Sequence, residues 1–87
     1  MLQALLPDGR TIPVAWMSIA QFDGVLRFNA INIDPSILIE IFSDPKNCSP
    51  LIRLFDGIAT DIYTDYTVFR GIMINYDQTA VVSLSRF

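Results

Sequence analysis

The densest group of polar side chains in this sequence lies in one short stretch: Asp56, Asp61, Tyr63, Asp65, Tyr66 and Arg70. Carboxylates brought together in this way can relay protons or hold a cation. The spacing argues against both uses. A cation loop places its ligands two residues apart and ends on a bidentate carboxylate, and Asp56, Asp61 and Asp65 form no such ladder. Turn chemistry accounts for them better: Asp56 precedes Gly57, Asp61 belongs on a solvent face, and Asp65 makes the next corner. The remaining inventory is equally thin. There is no His, one Cys and one Lys, which excludes a Cys/His zinc site, a Ser-His or Cys-His pair and a disulfide within the chain. None of Ser18, Ser36, Ser43, Ser49, Ser83 and Ser85 sits in a nucleophile-elbow pattern, and the only bases on offer to them are Lys46 and carboxylates. Gly9, Gly24, Gly57 and Gly71 are too far apart to cradle a phosphate. The expectation is a protein that is not an enzyme, with no catalytic residues, no metal and no organic cofactor.

Charge narrows the partners. The chain carries a net charge of −3, and its six basic residues (Arg10, Arg27, Lys46, Arg53, Arg70 and Arg86) are widely spaced. Neutralising phosphates takes clustered positive charge, so no nucleic-acid partner is expected. Nor is a membrane partner. The most promising apolar run, from Thr11 to Phe22, holds Pro13, Ser18 and Gln21 and falls short of the ~20 residues a helix needs to span a bilayer. The last strand, ending in Phe87, has the look of an outer-membrane barrel strand. Eight strands of ~9–11 residues would nevertheless consume the whole chain, so Phe87 is expected to end a soluble core strand. Asn47-Cys48-Ser49 matches a glycosylation sequon, but Pro50 follows at once and the leading residues include no basic signal, so the segment reads as a loop. One cysteine suits a reducing compartment, and a cytoplasmic location is expected.

The elements that must position these residues are easier to read. At 52% hydrophobic and 17% charged, the chain is too apolar for disorder, and its length fits a single domain over 1–87. Eight Asp against one Glu is a turn-former's ratio. Asp8-Gly9, Asp23-Gly24, Asp56-Gly57 and Asp77-Gln78 each separate apolar runs, as hairpin turns do. Twelve Ile, five Val and five Thr suit pleated strands. Alternation groups Ile12, Val14 and Trp16 on one face of a strand, with Ala15, Met17 and Ile19 on the other. It likewise groups Ile58, Thr60 and Ile62 against Asp61 and Tyr63. A phase slip at Ala30-Ile31 suggests a bulge or a strand buried on both sides. One stretch departs from this pattern. Asp34-Pro35-Ser36 reads as an N-cap with proline at the first helical position, and Asp44-Pro45 as a stop. A short helix over 35–43 is expected, with a strand the alternative for a segment holding Ile37, Ile39 and Ile41. The fold class is therefore α+β and mainly β: an antiparallel meander, partly open barrel or sandwich of about six or seven strands with one helix laid across it. Phe28, Leu38, Phe42, Leu54, Ile62, Ile72, Val82 and Leu84 should be core.

A domain of this size has little interior, and this one has more apolar residues than it can hide. The aromatics Trp16, Phe22, Phe28, Phe42, Phe55 and Phe69 are read as core in the main rather than as a ligand pocket. The surplus is read as an interface: Trp16, Met17 and Ile19, on a strand apolar on both faces, and Ile39 on the outer face of the helix. From Leu26 onward the layout resembles a group of small uncharacterised proteins encoded among the structural genes of phages and prophages of Gram-positive bacteria. The likeness rests on Leu26-Arg27-Phe28, Ile41-Phe42-Ser43-Asp44-Pro45, Tyr63-Thr64-Asp65-Tyr66-Thr67 and Val81-Val82-Ser83-Leu84. It covers about two-thirds of the chain and is a likeness of layout. It implies a β-rich tail or virion component or an accessory to one, and brings no catalytic residues with it. Two functions are thus expected. The first is a non-enzymatic structural or assembly protein whose partners are copies of itself and other structural proteins. The alternative is a small acidic binding or inhibitor module that docks on a partner protein.

Overall fold

Aspartate carboxylates organise the corners of this chain. Asp8, Asp23, Asp34, Asp44 and Asp77 each accept a hydrogen bond from the backbone amide two residues on, at 2.9–3.2 Å. Such a bond fixes a turn within the local sequence, without help from tertiary contacts. Between the corners lie β1 (Leu2–Leu5), β2 (Thr11–Ile19), β3 (Leu26–Ala30), α1 (Pro35–Ser43), a 3₁₀ turn (Pro45–Asn47), β4 (Leu51–Phe55), β5 (Ile58–Tyr63), β6 (Val68–Ile74) and β7 (Ala80–Ser85). The computed structural model describes residues 1–86; the expectation for Phe87 lies outside the described residues. All four expected hairpins form, and the helix has the expected bounds, with Asp34 as its cap and Pro35 in its first turn. At the tip of the β4–β5 hairpin Asp56 and Gly57 both have positive φ, 51° and 80°, as the tightest two-residue turns require.

The strands form one seven-stranded sheet in the order β5-β4-β1-β2-β3-β7-β6, with every neighbouring pair antiparallel. It is not a simple meander: the β4–β5 and β6–β7 hairpins are added on opposite sides of a central β1–β2–β3 unit. β2 serves two neighbours in turn. Its first half pairs with β1, from Gln3↔Pro13 to Leu5↔Thr11, and its second half with β3, up to Ile19↔Leu26. The sheet thus has two halves, β5-β4-β1-β2 and β2-β3-β7-β6, hinged on β2.

The two edge strands, β5 and β6, are consecutive in sequence and joined by residues 64–67 alone. Five Cα steps reach at most ~18 Å, whereas seven flat strands would set the edges ~29 Å apart. The sheet must therefore coil until its edges approach. The near-equal extents of 29 × 27 × 26 Å fit a coiled sheet rather than a flat one. The sheet stays open at that seam.

Inside the coil lie Ala4, Leu6, Ile12, Val14, Leu26, Phe28, Ala30, Leu51, Ala80, Val82 and Leu84. α1 covers them with Leu38, Ile41 and Phe42, and Phe42 meets Phe28 at 5.5 Å and Phe69 at 6.5 Å between ring centroids. Of the expected core, Phe28, Leu38, Phe42, Val82 and Leu84 are fully buried, and Ile72 packs against them part-buried. Ile62 is not core but exposed, and Leu54 is only half-buried. The cause is strand phase. Leu51, Arg53 and Phe55 take the inner face of β4, which turns Ile52 and Leu54 outward, and Ile62 lies opposite Ile52. A register shift between Arg53 and Leu54 leaves Thr60 as the extra residue on β5, so Ile58 does not share a face with Ile62. The phase slip at Ala30-Ile31 is likewise no bulge: β3 ends at Ala30, and Asn32 with φ 57° starts the connection to α1.

Candidate interaction surface

The outer faces of the two half-sheets are built from different residues. Residues opposite one another in antiparallel strands share a face, so the register gives each outer face as rows. On β5-β4-β1-β2 the rows are Ile62–Ile52–Leu5–Thr11 and Ala59–Leu54–Gln3–Pro13. Neither contains a charged residue. On β2-β3-β7-β6 the rows are Ser18–Arg27–Ser83–Gly71 and, on its last three strands, Asn29–Val81–Met73. There Arg27 is exposed enough to form an ion pair with Asp23 at 2.8 Å. Its guanidinium first, and then the Val25 amide, hold the Asp23 carboxyl below the usual carboxylate range.

The four expected interface residues do not fall on one surface. The register shift in β2 between Val14 and Met17 leaves Ala15 and Trp16 both outside, so Trp16 stands at the β2 border of the uncharged outer face. Met17 is a correction: the same shift turns it inward opposite Phe28, where it is buried and has no surface to offer. Ile19 lies opposite Leu26 and so belongs to the inner face, at its rim, 39% exposed. Ile39 is on the solvent side of α1, 41% exposed. Sequence reading missed Leu5, Ile52 and Leu54, which lack strongly exposed side chains and acquire meaning only when register sets them side by side.

The polar stretch from Asp56 to Arg70 is dispersed by the fold. Asp56 sits in the hairpin turn and pairs with the N-terminal ammonium. Asp61 pairs with Arg53 at 3.3 Å on the inner face of the edge. Asp65 makes the corner with φ 69°, its amide donating to Ser49 Oγ, and Arg70 is the extra residue of an irregularity in β6. Tyr63, at the end of β5, and Tyr66, in the connection to β6, meet edge-to-face at 6.2 Å, with the Arg86 guanidinium 5.2 Å from the Tyr66 ring centroid. Burial, and then the charge of Asp61, push the Tyr63 hydroxyl up from its ordinary value, against the pull of Arg53.

The expected loop around Cys48 is a 3₁₀ turn closing the helix end. Asn47 Nδ2 donates to the Ile41 carbonyl at 3.1 Å, satisfying one of the carbonyls that a helix end leaves free, and the buried Cys48 thiol points at the Phe42 carbonyl. Burial first, and the nearby Asp44 second, raise that thiol above its ordinary pKa, which disfavours a reactive thiolate. An open cleft of about 750 Å³ lies between residues 31–35 and the β6–β7 turn. Its carboxylates are already engaged. Asp34 accepts from the amide and hydroxyl of Ser36, and Asp77 from the hydroxyl and amide of Thr79, bonds that depress both acids. Among the described residues no three His, Cys, Asp or Glu side chains converge as a metal site, and no helix is long and apolar enough to cross a membrane.

The fold and surface define a class: a coiled, open antiparallel sheet with one capping helix and an uncharged face on half of its exterior. No protein-family model matches the chain, no curated protein matches its sequence, and no solved structure matches its fold.

Proposed function

We propose that this is a non-enzymatic structural or assembly protein that works by associating with copies of itself, in the manner of a phage or prophage tail or virion component made in the cytoplasm. One observation carries the reading: the outer rows of β5-β4-β1-β2 hold no charged residue and only Gln3 and Thr11 as polar side chains, whereas those of the other half mix Ser18, Arg27, Asn29 and Ser83 with Gly71, Val81 and Met73. A monomer that stays in solution keeps its apolar patches small and mixes charge among them. Twelve large hydrophobic side chains are exposed among the described residues, including Phe22, Phe55, Ile58, Ile62 and Met73, on a chain with few charges to intersperse. The phage likeness agrees with this argument and is independent of it. Size-exclusion chromatography with light scattering tests the reading: a defined oligomer that grows with concentration is expected, and a monomer at every concentration overturns it.

A second reading draws on a different feature. β5 has a neighbour on one side only, β4, so its other side presents unpaired backbone amides and carbonyls. Such an edge can accept a strand from another protein, as a binding or inhibitor module would use it. A stable monomer in the same experiment moves this reading to first place.

A further inference from the structure

We infer that β5 is where two copies of this chain meet, its free edge pairing antiparallel with the same edge of a second copy about a two-fold axis. This rests on the self-association reading above and names the contact. The bulge in β5 chooses the occupant. In a two-residue hairpin the residues flanking the turn exchange both backbone bonds, so Phe55 and Ile58 are a bonded pair. The next pair, Leu54 and Ala59, is then unbonded, and Ala59 points its amide and carbonyl away from β4. Arg53 follows and is faced by both Asp61 and the extra residue Thr60, whose hydroxyl donates to the Arg53 carbonyl at 3.2 Å. Ile62, opposite Ile52, therefore points outward again. The free backbone groups of β5 thus stand at Ala59 and Ile62, three positions apart. A regular strand presents such groups two positions apart and can meet one of these residues but not both. A second copy of β5 running the other way meets both, Ala59 on Ile62 and Ile62 on Ala59.

The same register matches the side chains. Ile58 comes opposite Tyr63 on the inner face, Ala59 opposite Ile62 on the outer, and Thr60 opposite Asp61 at the axis. Apolar meets apolar on both faces, as a self-complementary contact requires. Asp61, the one charge on β5, is matched by Arg53 of its own chain. Beyond the strand, Asp65 of one copy comes toward Asp56 of the other, where the N-terminal ammonium already balances Asp56. All of β5 but Tyr63 is exposed, with Ile58 at 69% and Ile62 at 64%, so its own chain leaves room for the neighbour. The other edge is less suited: β6 has α1 against it and carries Arg70, which a like edge would repel. Six residues a side fall well below the ~20–30 of a standard interface, so a dimer with a dissociation constant on the order of 100 μM is expected.

The test is light scattering on the whole chain from about 10 μM to about 1 mM, the range set by that interface size. Ala59→Pro removes an amide that β4 does not use, so the fold should persist, with circular dichroism as the check. Met73→Lys is the control on the other edge, where Met73 is 66% exposed. Wild type and Met73→Lys should dimerise alike, and Ala59→Pro should dimerise at least about tenfold more weakly, since symmetry removes its bond twice. The register is read on the wild type itself. In an equal mixture of isotope-labelled and unlabelled chains, the α-protons of Ile58 and Tyr63 should show a nuclear Overhauser contact between copies, because they form a close, unbonded pair there. A dimer that survives a folded Ale59→Pro unchanged, or that lacks the contact between Ile58 and Tyr63, overturns the inference while leaving self-association standing. A wild type that stays monomeric throughout overturns both.

Discussion

The two halves of this sheet share β2, a twist and a core, yet they treat water differently. In β2-β3-β7 the inner face is Leu26, Phe28, Ala30, Ala80, Val82 and Leu84, all buried, and the outer face is mainly polar, with Ser18, Arg27, Asn29 and Ser83 beside Val81. That is the alternation a one-sided antiparallel sheet needs. In β5-β4-β1-β2 the distinction erodes toward the edge. β5 has no fully buried residue, and Ile58 and Phe55 are exposed on the inner side while Ile62 is exposed on the outer. The helix explains part of the difference. α1 lies against β6, through Phe42 on Phe69, whereas β5 is paired with β4 alone. Beyond the helix the other edge is open too: β6 has no fully buried residue, and Ile74 is exposed on its inner side and Met73 on its outer.

The sharpest way to break this comparison is to cut the same kind of side chain from each half. Phe42→Ala, on the buried face of the helix where it packs on β6, should cost about 3–5 kcal/mol in chemical denaturation, a large part of the stability of a domain this small. Ile62→Ala, measured at concentrations where the chain is monomeric, should stay within about 0.5 kcal/mol of wild type. Equal losses would mean that the first half is packed as tightly as the second.

Hydrogen exchange should show the division along the backbone. Amides of β3 and β7, paired on both sides and buried beneath α1, should exchange slowest, near the global unfolding limit. Those of β5 should exchange fastest among the strands in dilute protein and slow down as concentration rises. A β5 that is protected as well as β7 in dilute solution would remove the distinction.

The smallest expected effect is acid sensitivity, and it belongs to the corners rather than to either face. Asp23, Asp34 and Asp77 are held below their ordinary value of 3.8 by hydrogen bonds from Arg27, from Ser36 and from Thr79. A carboxyl depressed in the folded state adds stability above its unfolded pKa and loses it as pH falls through the folded one. Stability should therefore be level from neutrality to about pH 4 and decline below it. Asp23→Asn, Asp34→Asn and Asp77→Asn should each flatten the decline. A fall that begins near pH 6 would point to some other group.

Local chemistry was the legible part of this sequence. Asp-Gly, Asp-Pro and Asp-Gln pairs mark the corners, most of them closed by bonds spanning two residues, and the helix and all four hairpins follow from them. Long-range pairing was not legible. Ile62 alternates as a core residue would, and it turns outward because β4 brings Ile52, not Leu51, opposite it. Met17 reads as outward by strict alternation from Val14, and an inserted residue reverses it. The uncharged face was half visible as an apolar surplus, but no stretch of sequence contains it. It exists only once β1, β2, β4 and β5 lie side by side.

The interleaved strand order also governs how this chain reaches its fold. Leu2 must find Phe55, and Leu26 must find Leu84, before the β1–β4 and β3–β7 ladders exist. Only the β1–β2–β3 unit and the two added hairpins can close from neighbouring sequence. Until β7 arrives, β3 stands as a bare edge with Phe28 uncovered. Such non-local pairing belongs with refolding in ~milliseconds to seconds rather than microseconds. During that interval the central strands, which are the best protected in the finished molecule, are the most prone to pair with another chain. Growing the protein slowly or at low temperature should therefore raise its soluble yield more than changing any exposed residue of the finished surface.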